Sequence, residues 1–274
     1  MRLWYHPRMR ALAIFLLLLA STSPAAAADL IAEARRLYNL GQYAMAEQLA
    51  REAAEAPGTR DAARVVLGRI QLERYRQSND LEDFTAARDS LTAVDSRSLD
   101  ARERIELVIG LAEALYLEYR FGAAAELFES VFDRSGILGA SAHERVLDWW
   151  ATATDRHAQS LSAAERPTLY RRLQARMRQE IADVPGSTAA AYWLAAAARA
   201  SGDPDQAWDL AVAGWVRAPL TDDRGATLRA DLDRLVVQAI IPERAARLAS
   251  RGDPKQAHTN MLSEWEAFKA AWSR

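Results

Sequence analysis

The side chains that could carry acid–base or metal chemistry are scattered along this sequence. His143 and His157 are fourteen positions apart, so roughly 21 Å would separate them on one helix at about 1.5 Å of rise per residue. They cannot share a metal ion. His143 precedes Glu144, but the second histidine that a zinc-protease helix carries four residues after the first is missing. We therefore expect neither a metal nor another cofactor.

The sequence motifs of nucleophilic and phosphate chemistry are missing as well. There is no glycine-rich phosphate loop and no G-x-S-x-G elbow. Carboxylates are common, but many lie among arginines at helix-surface spacing, as in Glu33 with Arg36 and Arg102 with Glu106. Such pairs indicate solvated helix faces. The sequence therefore predicts a non-enzymatic protein, and an envelope hydrolase is the third-ranked alternative.

Tryptophan is the unusual residue type, and it has two interpretations. The indoles could form a platform for a ligand, or they could fill a core. The heptad spacing of Trp208 with Trp215 and of Trp265 with Trp272 favours core seams on one helix face. Trp149 and Trp150 are adjacent and point about 100° apart on a helix. We expect one of these two to be buried and the other to be partly exposed or to contact a neighbouring hairpin.

The first 28 residues have the pattern of a signal peptide. Arg2, Arg8 and Arg10 precede an apolar run at positions 11–20, and small residues follow at 25–28. This pattern predicts export to the periplasm or the exterior, with cleavage after Ala28. An uncleaved anchor remains the alternative, because residues 11–28 reach the shortest length that spans a bilayer. The sequence has no Cys, so it has no thiol for lipid attachment, disulfides or metal binding.

Composition narrows the function classes. The 274 residues include 35 Lys+Arg and 37 Asp+Glu, which gives a formal net charge of −2. This balance gives no electrostatic basis for nucleic-acid binding. Half of the residues are apolar, while only 12 are Gly and 9 are Pro, a balance typical of a helical domain rather than a disordered chain. No later apolar run is long enough for a membrane span.

Beyond residue 28, apolar residues recur at spacings of three and four, and the turn residues are sparse. The pattern predicts an all-α chain of helical hairpins. Small residues recur late in the first helix of a pair and early in the second: Ala34 and Ala46, Gly68 and Ala87, Ala112 and Ala124, Ala195 and Ala207. An aromatic precedes the second small residue in three of these pairs, at Tyr43, Phe84 and Phe121.

These offsets resemble the tetratricopeptide repeat (TPR), a helix–turn–helix unit. The resemblance implies a right-handed superhelical solenoid of antiparallel hairpins whose aromatics lock each pair. The early Trp of the family is missing, and residues 73–83 extend the second hairpin or loop out of it. We divide the chain into a signal peptide (1–28), three repeats (29–135), a degenerate hairpin (136–184) and C-terminal hairpins with a capping helix (185–274). The alternative is a boundary between two repeat domains near 136–139.

The same resemblance places the first helix of each pair on a concave face. The positions outside the small-residue seam would then line a groove: Ile31, Arg35, Tyr38, Asn39, Val65, Arg69, Leu72, Glu73, Ile109, Glu113, Tyr116, Leu117, Tyr192, Ala196 and Arg199. The polar and aromatic members are the predicted partner-binding residues: Arg35, Tyr38, Asn39, Arg69, Glu73, Glu113, Tyr116, Tyr192 and Arg199. We expect Arg35 and Arg69 to be exposed, so that replacing both would leave the fold intact.

The resulting function prediction is an exported scaffold that binds a protein or peptide of unknown identity. The alternative is a solenoid that binds a small ligand or glycan through Trp and Tyr. The two differ in the placement of Trp149, Trp150, Tyr192 and Trp193, because inward packing favours a scaffold and clustering in one open pocket favours a ligand. The sequence leaves the oligomeric state open.

Overall fold

The computed structural model describes residues 24–248 and 252–273, and that part of the chain is helical throughout, with no β-strand. The predicted all-α fold class is therefore confirmed. Most of the predicted signal peptide lies outside the described residues. Its last five positions, 24–28, form the beginning of the first helix. Within the described part, no helix is long and apolar enough to cross a membrane.

The helices follow one another with short connections. Their bounds are α1 Pro24–Asn39, α2 Tyr43–Ala54, α3 Arg60–Ser78, α4 Leu81–Thr92, α5 Ala101–Leu117, α6 Phe121–Glu129, the single turn α7 Phe132–Ser135, α8 Ala140–Ser160, α9 Arg166–Asp183, α10 Thr188–Ala200, α11 Pro204–Arg217, α12 Ala226–Leu235, α13 Ile241–Arg247 and α14 Pro254–Trp272. A π-helical turn, Val236–Ile240, joins α12 to α13 without a break.

Local sequence signals explain where several helices begin. Asp100 accepts a hydrogen bond from the Glu103 amide, while the Glu103 side chain accepts one from the Asp100 amide. This reciprocal capping box fixes the first turn of α5. Ser187 and Asp203 cap α10 and α11 through single side-chain acceptors. These caps satisfy amides that have no partner inside the helix, so the turn residues define the helix pairs.

The packing order repeats along the chain. Each helix from α1 to α5 packs on its successor, α6 packs on α8, and α8 to α12 continue in chain order. Every second helix also makes contact, in the row α1, α3, α5, α8, α10 and α12. The structure therefore has an inner row that consists of one helix from each successive pair.

The small residues identified in the sequence are buried where paired helices meet. Ala34, Ala46, Ala87, Ala112, Ala124, Ala195 and Ala207 have no exposed surface. A Cβ placed on Gly68 would lie 2.6 Å from Leu91 Cγ and 3.2 Å from the Ala87 carbonyl oxygen. Since even one methyl group would collide there, glycine is what lets α4 approach α3 so closely.

The predicted aromatics contact the preceding helix in each of the three N-terminal pairs. Ring centroids of Tyr38 and Tyr43 lie 5.7 Å apart, and those of Tyr116 and Phe121 lie 5.1 Å apart. In the second pair Phe84 contacts Tyr75 at 5.1 Å. The extra residues 73–78 of that copy continue α3 as helix. Tyr75, near the end of this longer helix, is therefore the residue that contacts Phe84.

The hydrophobic core runs through the chain as three overlapping clusters. The first spans residues from Ile31 to Ala114, the second from Ile105 to Ala197, and the third from Ala191 to Trp265. The second cluster includes residues on both sides of positions 136–139, where the alternative domain boundary was placed. Helices α8 and α9 correspond to the two helices expected in the degenerate segment.

The tryptophans at the C-terminal end form the expected seam, except for the last one. Trp265 has no exposed surface, and its ring lies 5.6 Å from Trp208, 5.3 Å from Trp215 and 5.5 Å from Phe268 between centroids. Its indole N–H donates to Asp233 at 2.8 Å. Trp272 is 54% exposed. Trp265 therefore packs α14 against α11.

Candidate binding cavity

The inner row of helices encloses one cavity of 630 Å³. Helices α1, α3, α5, α8, α10 and α12 each contribute lining side chains, together with Leu138 of the turn before α8. The lining is strongly charged and includes three aromatic residues, Tyr38, Trp149 and Tyr192. Such a volume is in the range of ligand pockets, about 300–1,000 Å³.

Seven of the nine predicted partner-binding residues line this cavity. They are Arg35, Tyr38, Asn39, Arg69, Glu73, Glu113 and Tyr192. Tyr116 instead packs its ring against Phe121 and Trp149, and Arg199 pairs with Glu243 at 2.6 Å. Neither of these two is part of the cavity lining.

Several other residues expected in the groove are buried in the core. Ile31, Val65 and Leu72 are at most 3% exposed and belong to the N-terminal cluster. Ile109 is also buried, but it does line the cavity. The predicted positions include residues of four of the six helices that line the cavity, α1, α3, α5 and α10, whereas Ile31, Val65 and Leu72 face the core.

The N-terminal wall of the cavity is an ionic network. Arg35 Nε donates to Glu106 Oε2 at 2.9 Å, and its Nη2 contacts Glu103 at 3.3 Å. Arg102 Nε donates to the other Glu106 oxygen at 3.2 Å. Glu106 is only 4% exposed. The expectation that Arg102 and Glu106 form a solvated surface pair is therefore wrong, because Glu106 faces inward between two arginines.

Arg69 and Glu113 lie deeper in the same wall. The Arg69 guanidinium is 4.9 Å from the centre of the Tyr38 ring, and its Nη2 is 3.7 Å from Glu113 Oε1. Glu113 is 5% exposed, and this burial raises the pKa of its carboxyl group. In the described part of the chain, Arg69 Nε and Glu113 Oε2 are buried without a hydrogen-bond partner.

These contacts correct the expectation that Arg35 and Arg69 are free surface groups. Their side chains are 18% and 16% exposed, and both already pair with carboxylates. Removing the Arg69 guanidinium leaves the buried Glu113 without this counter-charge, and removing that of Arg35 leaves the buried Glu106 with Arg102 alone. Both changes are costly in a low-dielectric surrounding. The double alanine variant is therefore unsuitable as a test of binding alone.

The adjacent tryptophans of α8 separate as their spacing predicts. Trp150 is 1% exposed and packs edge-on against Phe132 at 5.1 Å. Trp149 lines the cavity, with Phe128 stacked on it at 6.0 Å and the Arg76 guanidinium 4.9 Å from its ring centre. The Trp149 ring is therefore engaged by protein groups, and Arg76 is held between this ring and Glu73 at 2.8 Å.

The C-terminal wall is acidic. Asp148 of α8 and Asp231 of α12 line it beside Tyr192 of α10. Asp148 accepts a hydrogen bond from the Trp193 indole N–H at 2.8 Å. Burial raises the pKa of Asp148, the Trp193 hydrogen bond lowers it, and the charge of Asp231 raises it further. Burial also raises the pKa of Tyr192, and the charges of Asp231 and Asp148 add to that shift.

One polar contact links the first helix to the middle of the chain across the cavity. Arg145 of α8 donates to Asn39 Oδ1 of α1 at 3.2 Å and to Ser141 Oγ at 3.1 Å. Arg145 and Asn39 are both exposed. Since both side chains are exposed to solvent, the contact contributes little stability.

A serine–histidine–glutamate arrangement that no sequence motif indicates lies outside the lining of this cavity. Ser135 Oγ is 2.6 Å from His143 Nδ1, and His143 Nε2 is 3.0 Å from Glu180 Oε1. His143 and Glu180 line a second cavity of 770 Å³. Ser135 has no exposed surface, and its hydroxyl also contacts the Phe132 carbonyl at 2.9 Å. The hydroxyl cannot reach a substrate from this position, so the trio positions α7 against α8 and α9.

This trio also favours a charged histidine. When the Ser135 proton is donated to Phe132, both nitrogens of His143 face acceptors and both carry protons. The hydrogen bond to Glu180 raises the pKa of His143, and the same bond lowers the pKa of Glu180. Glu180 is 37 positions after His143, so no local motif could have revealed the pair.

The described residues contain no group of three or more His, Cys, Asp or Glu side chains placed to hold a metal ion. Comparisons with known proteins returned no match among family models, curated proteins or solved structures. The functional argument therefore depends on the geometry of the cavity.

Proposed function

We propose that this chain is an exported, non-enzymatic scaffold whose inner row of helices binds a peptide segment of a protein partner. The observation that carries the proposal is the cavity of 630 Å³ to which α1, α3, α5, α8, α10 and α12 all contribute charged or aromatic side chains. In repeat proteins the inner helices form the binding surface. The proposed partner-binding side chains are those that line this surface.

The proposal includes a TPR-like superhelix. Three features support it: the contacts between alternate helices, the small residues at each close approach, and the aromatic contact that closes each N-terminal pair. Each recurs from one pair to the next, which is expected when successive hairpins stack with the same geometry. A right-handed turn from pair to pair would bring α1 and α8 to opposite sides of one concave space.

The dimensions favour a short segment as the occupant. A volume of 630 Å³ holds a few residues in an extended conformation, and it is too small for a folded domain. The lining offers charged groups at the walls and aromatic rings between them. Arg and Tyr are enriched among residues that dominate binding energies. A linear peptide with polar side chains therefore suits this cavity.

A small polar ligand is the second candidate, and the volume of the cavity is the observation that favours it. Stacking of a sugar on Trp149 is disfavoured, because Phe128 and Arg76 already cover that ring. Tyr192 is the remaining aromatic of the C-terminal wall. A small ligand would therefore rely on hydrogen bonds and charge rather than on an indole platform.

The test of the proposed function blocks the cavity while the fold is kept. Ala142 lines the cavity on α8 and is partly exposed, so Ala142→Trp should fill the space. Ala182 is exposed on α9 and lies outside the cavity lining, which makes Ala182→Trp the matched control. Partners recovered with the mature protein from envelope extract of its host should be lost with Ala142→Trp and retained with Ala182→Trp. Equal recovery with both variants would contradict the proposal.

Export is a separate part of the proposal and has its own test. Cleavage after Ala28 would shorten α1 so that it begins at Asp29, and Ala27, which is buried, would be removed. N-terminal sequencing of protein from the native host should therefore begin at Asp29. Recovery of intact Met1 in the membrane fraction would contradict cleavage and favour an anchor.

A further inference from the structure

Building on the proposed function, we propose that the C-terminal wall of the cavity receives a cationic side chain, Lys or Arg, of the bound segment. The residues that would hold it are Asp148 and Asp231, with Tyr192 beside them. They come from three helices of the inner row, α8, α12 and α10. The inference thus assigns a chemical class to one position of the partner.

The charge distribution of the cavity supports a cation. The five arginines in the lining all engage protein groups: Arg35 and Arg102 contact Glu106, Arg69 contacts Glu113, Arg76 contacts Glu73, and Arg145 contacts Asn39. No arginine or lysine of the described residues lies within ion-pair distance of Asp148. Its carboxylate holds only the neutral Trp193 N–H. The cavity therefore has two carboxylates without a counter-charge in the described part of the chain: Asp148, and Glu144, which accepts from the Ala189 amide at 3.1 Å.

The surroundings of Asp148 add further negative charge without adding a positive one. Asp148 keeps exposed surface within the cavity, so an entering group can reach it. Asp231 carries a second negative charge near it, and the ion pair of Asp231 with Arg234, at 3.3 Å, is solvated. Two carboxylates that share a partly desolvated space favour a cation between them. A Lys or Arg head group would bind there and could also contact the Tyr192 ring.

Within the described residues, Glu113 provides a further acceptor without a partner in the same cavity. It lines the cavity with only 5% of its surface exposed, and its Oε2 has no partner in the described part of the chain. Buried polar atoms in folded proteins are nearly always hydrogen-bonded. The unpaired Glu113 oxygen can therefore accept from a donor of the bound segment, while the unpaired Arg69 Nε beside it offers that segment a donor. Guanidinium and ammonium groups carry several donors and no acceptor.

The experiment compares side chains of the same shape with and without charge. Pools of fluorescent hexapeptides are randomised except at one central position, which carries Arg, citrulline, Lys, acetyl-lysine or Glu. Binding of each pool to the mature protein is measured by fluorescence anisotropy. The Arg and Lys pools should bind at least about tenfold more tightly than their uncharged counterparts, and the Glu pool should bind most weakly.

Variants of the two carboxylates show which part of the cavity causes the preference for a cationic side chain. Asp148→Asn preserves shape and an acceptor for the Trp193 N–H, and Asp231→Asn removes the second charge. Each should reduce the preference for Arg over citrulline severalfold. Asp209→Asn is the matched control, because Asp209 is an exposed α11 carboxylate outside the cavity lining, and it should keep the full preference.

The outcomes separate this inference from the proposed function. If all pools bind equally well, or if the preference survives in both Asp148→Asn and Asp231→Asn, the cation site is refuted while peptide binding stands. A preference for the Glu pool would also refute it. If none of the pools binds, the peptide-binding function itself is contradicted, and the cation site is contradicted with it.

Discussion

Arg145 and Asp148 lie one helical turn apart on α8 and line the same cavity, yet they do not pair with each other. Arg145 reaches across to Asn39 of α1, whereas Asp148 accepts from Trp193 of α10. Opposite charges three residues apart on a helix readily form ion pairs. Here the two side chains instead form hydrogen bonds with two different neighbouring helices. The separation leaves the Asp148 charge uncompensated, and it underlies the cation site proposed for the partner.

The first prediction concerns the buried pair Arg69 and Glu113. Arg69→Met should lower the free energy of unfolding by about 3–5 kcal/mol, because it leaves the buried Glu113 without a counter-charge. Arg69→Met combined with Glu113→Leu should lower it much less, since no buried charge remains. Denaturant unfolding of both single variants and the double variant measures the coupling. Additive losses would show that the two side chains do not interact.

The second prediction concerns the closest helix contact. Gly68→Ala should destabilise the protein by about 1–3 kcal/mol through overpacking, which outweighs the roughly 1 kcal/mol that alanine gains over glycine within a helix. The new Cβ would meet Leu91. The control is Gly58→Ala, where a Cβ meets no atom within 4 Å. Thermal unfolding should separate the two variants, and equal midpoints would mean that α4 does not pack against Gly68 as described.

The third prediction is a pH dependence that comes from His143 and Glu180. The pKa of His143 is raised, so its stabilising contribution is complete below about pH 6.5 and is lost as the pH rises through the folded-state pKa. The pKa of Glu180 is lowered, so its contribution is complete above about pH 4.5 and is lost as the pH falls through its folded-state pKa. The pair therefore contributes most between about pH 4.5 and 6.5.

The measurement compares the wild type with His143→Gln across this range. The difference in unfolding free energy should be largest between about pH 4.5 and 6.5 and should shrink toward pH 9, where His143 is neutral. His258→Gln serves as the control, because His258 makes no side-chain hydrogen bond in the described part of the chain. A difference that stays constant from pH 5 to pH 9 would show that the ionic His143–Glu180 contact is not formed in solution.

The fourth prediction concerns Trp265. Trp265→Ala should cost about 3–5 kcal/mol, as expected for truncation of a fully buried indole, and it should loosen α14 first. Trp272→Ala is the control, since that ring is 54% exposed, and it should cost much less. Hydrogen exchange should accelerate in residues 254–272 of the first variant. Unchanged protection of that helix would mean that Trp265 does not hold it.

The sequence predicted the position of a residue correctly where the helical period alone determines which face of a helix it occupies. Small residues such as Ala112 and aromatics such as Phe121 lie at fixed offsets from turns, so their positions at helix contacts follow from the repeat pattern. The period also identified four of the six helices of the inner row, but not α8 and α12. It could not show how far each position is from solvent, which is why Val65 was expected in the groove and is buried in the core.

The contacts that the sequence did not reveal join residues far apart in the chain. Glu106 is buried because Arg35 reaches it from a helix 71 positions earlier. His143 finds Glu180 only when α9 folds back on α8. Tyr116 was expected in the groove, but its ring packs edge-on against Trp149. Each of these depends on the angle at which helix pairs stack, and no local spacing encodes that angle.

Site-specific photo-crosslinking tests the central claim most directly. The photoreactive residue p-benzoylphenylalanine replaces Tyr192, which lines the cavity, or Tyr119, which is 79% exposed and lies outside the cavity lining. After irradiation in living host cells, the Tyr192 variant should yield a discrete protein adduct that the Ala142→Trp substitution abolishes, and the Tyr119 variant should yield none of that mass. An adduct at Tyr119 alone, or one at Tyr192 that persists when the cavity is filled, would contradict binding within the cavity.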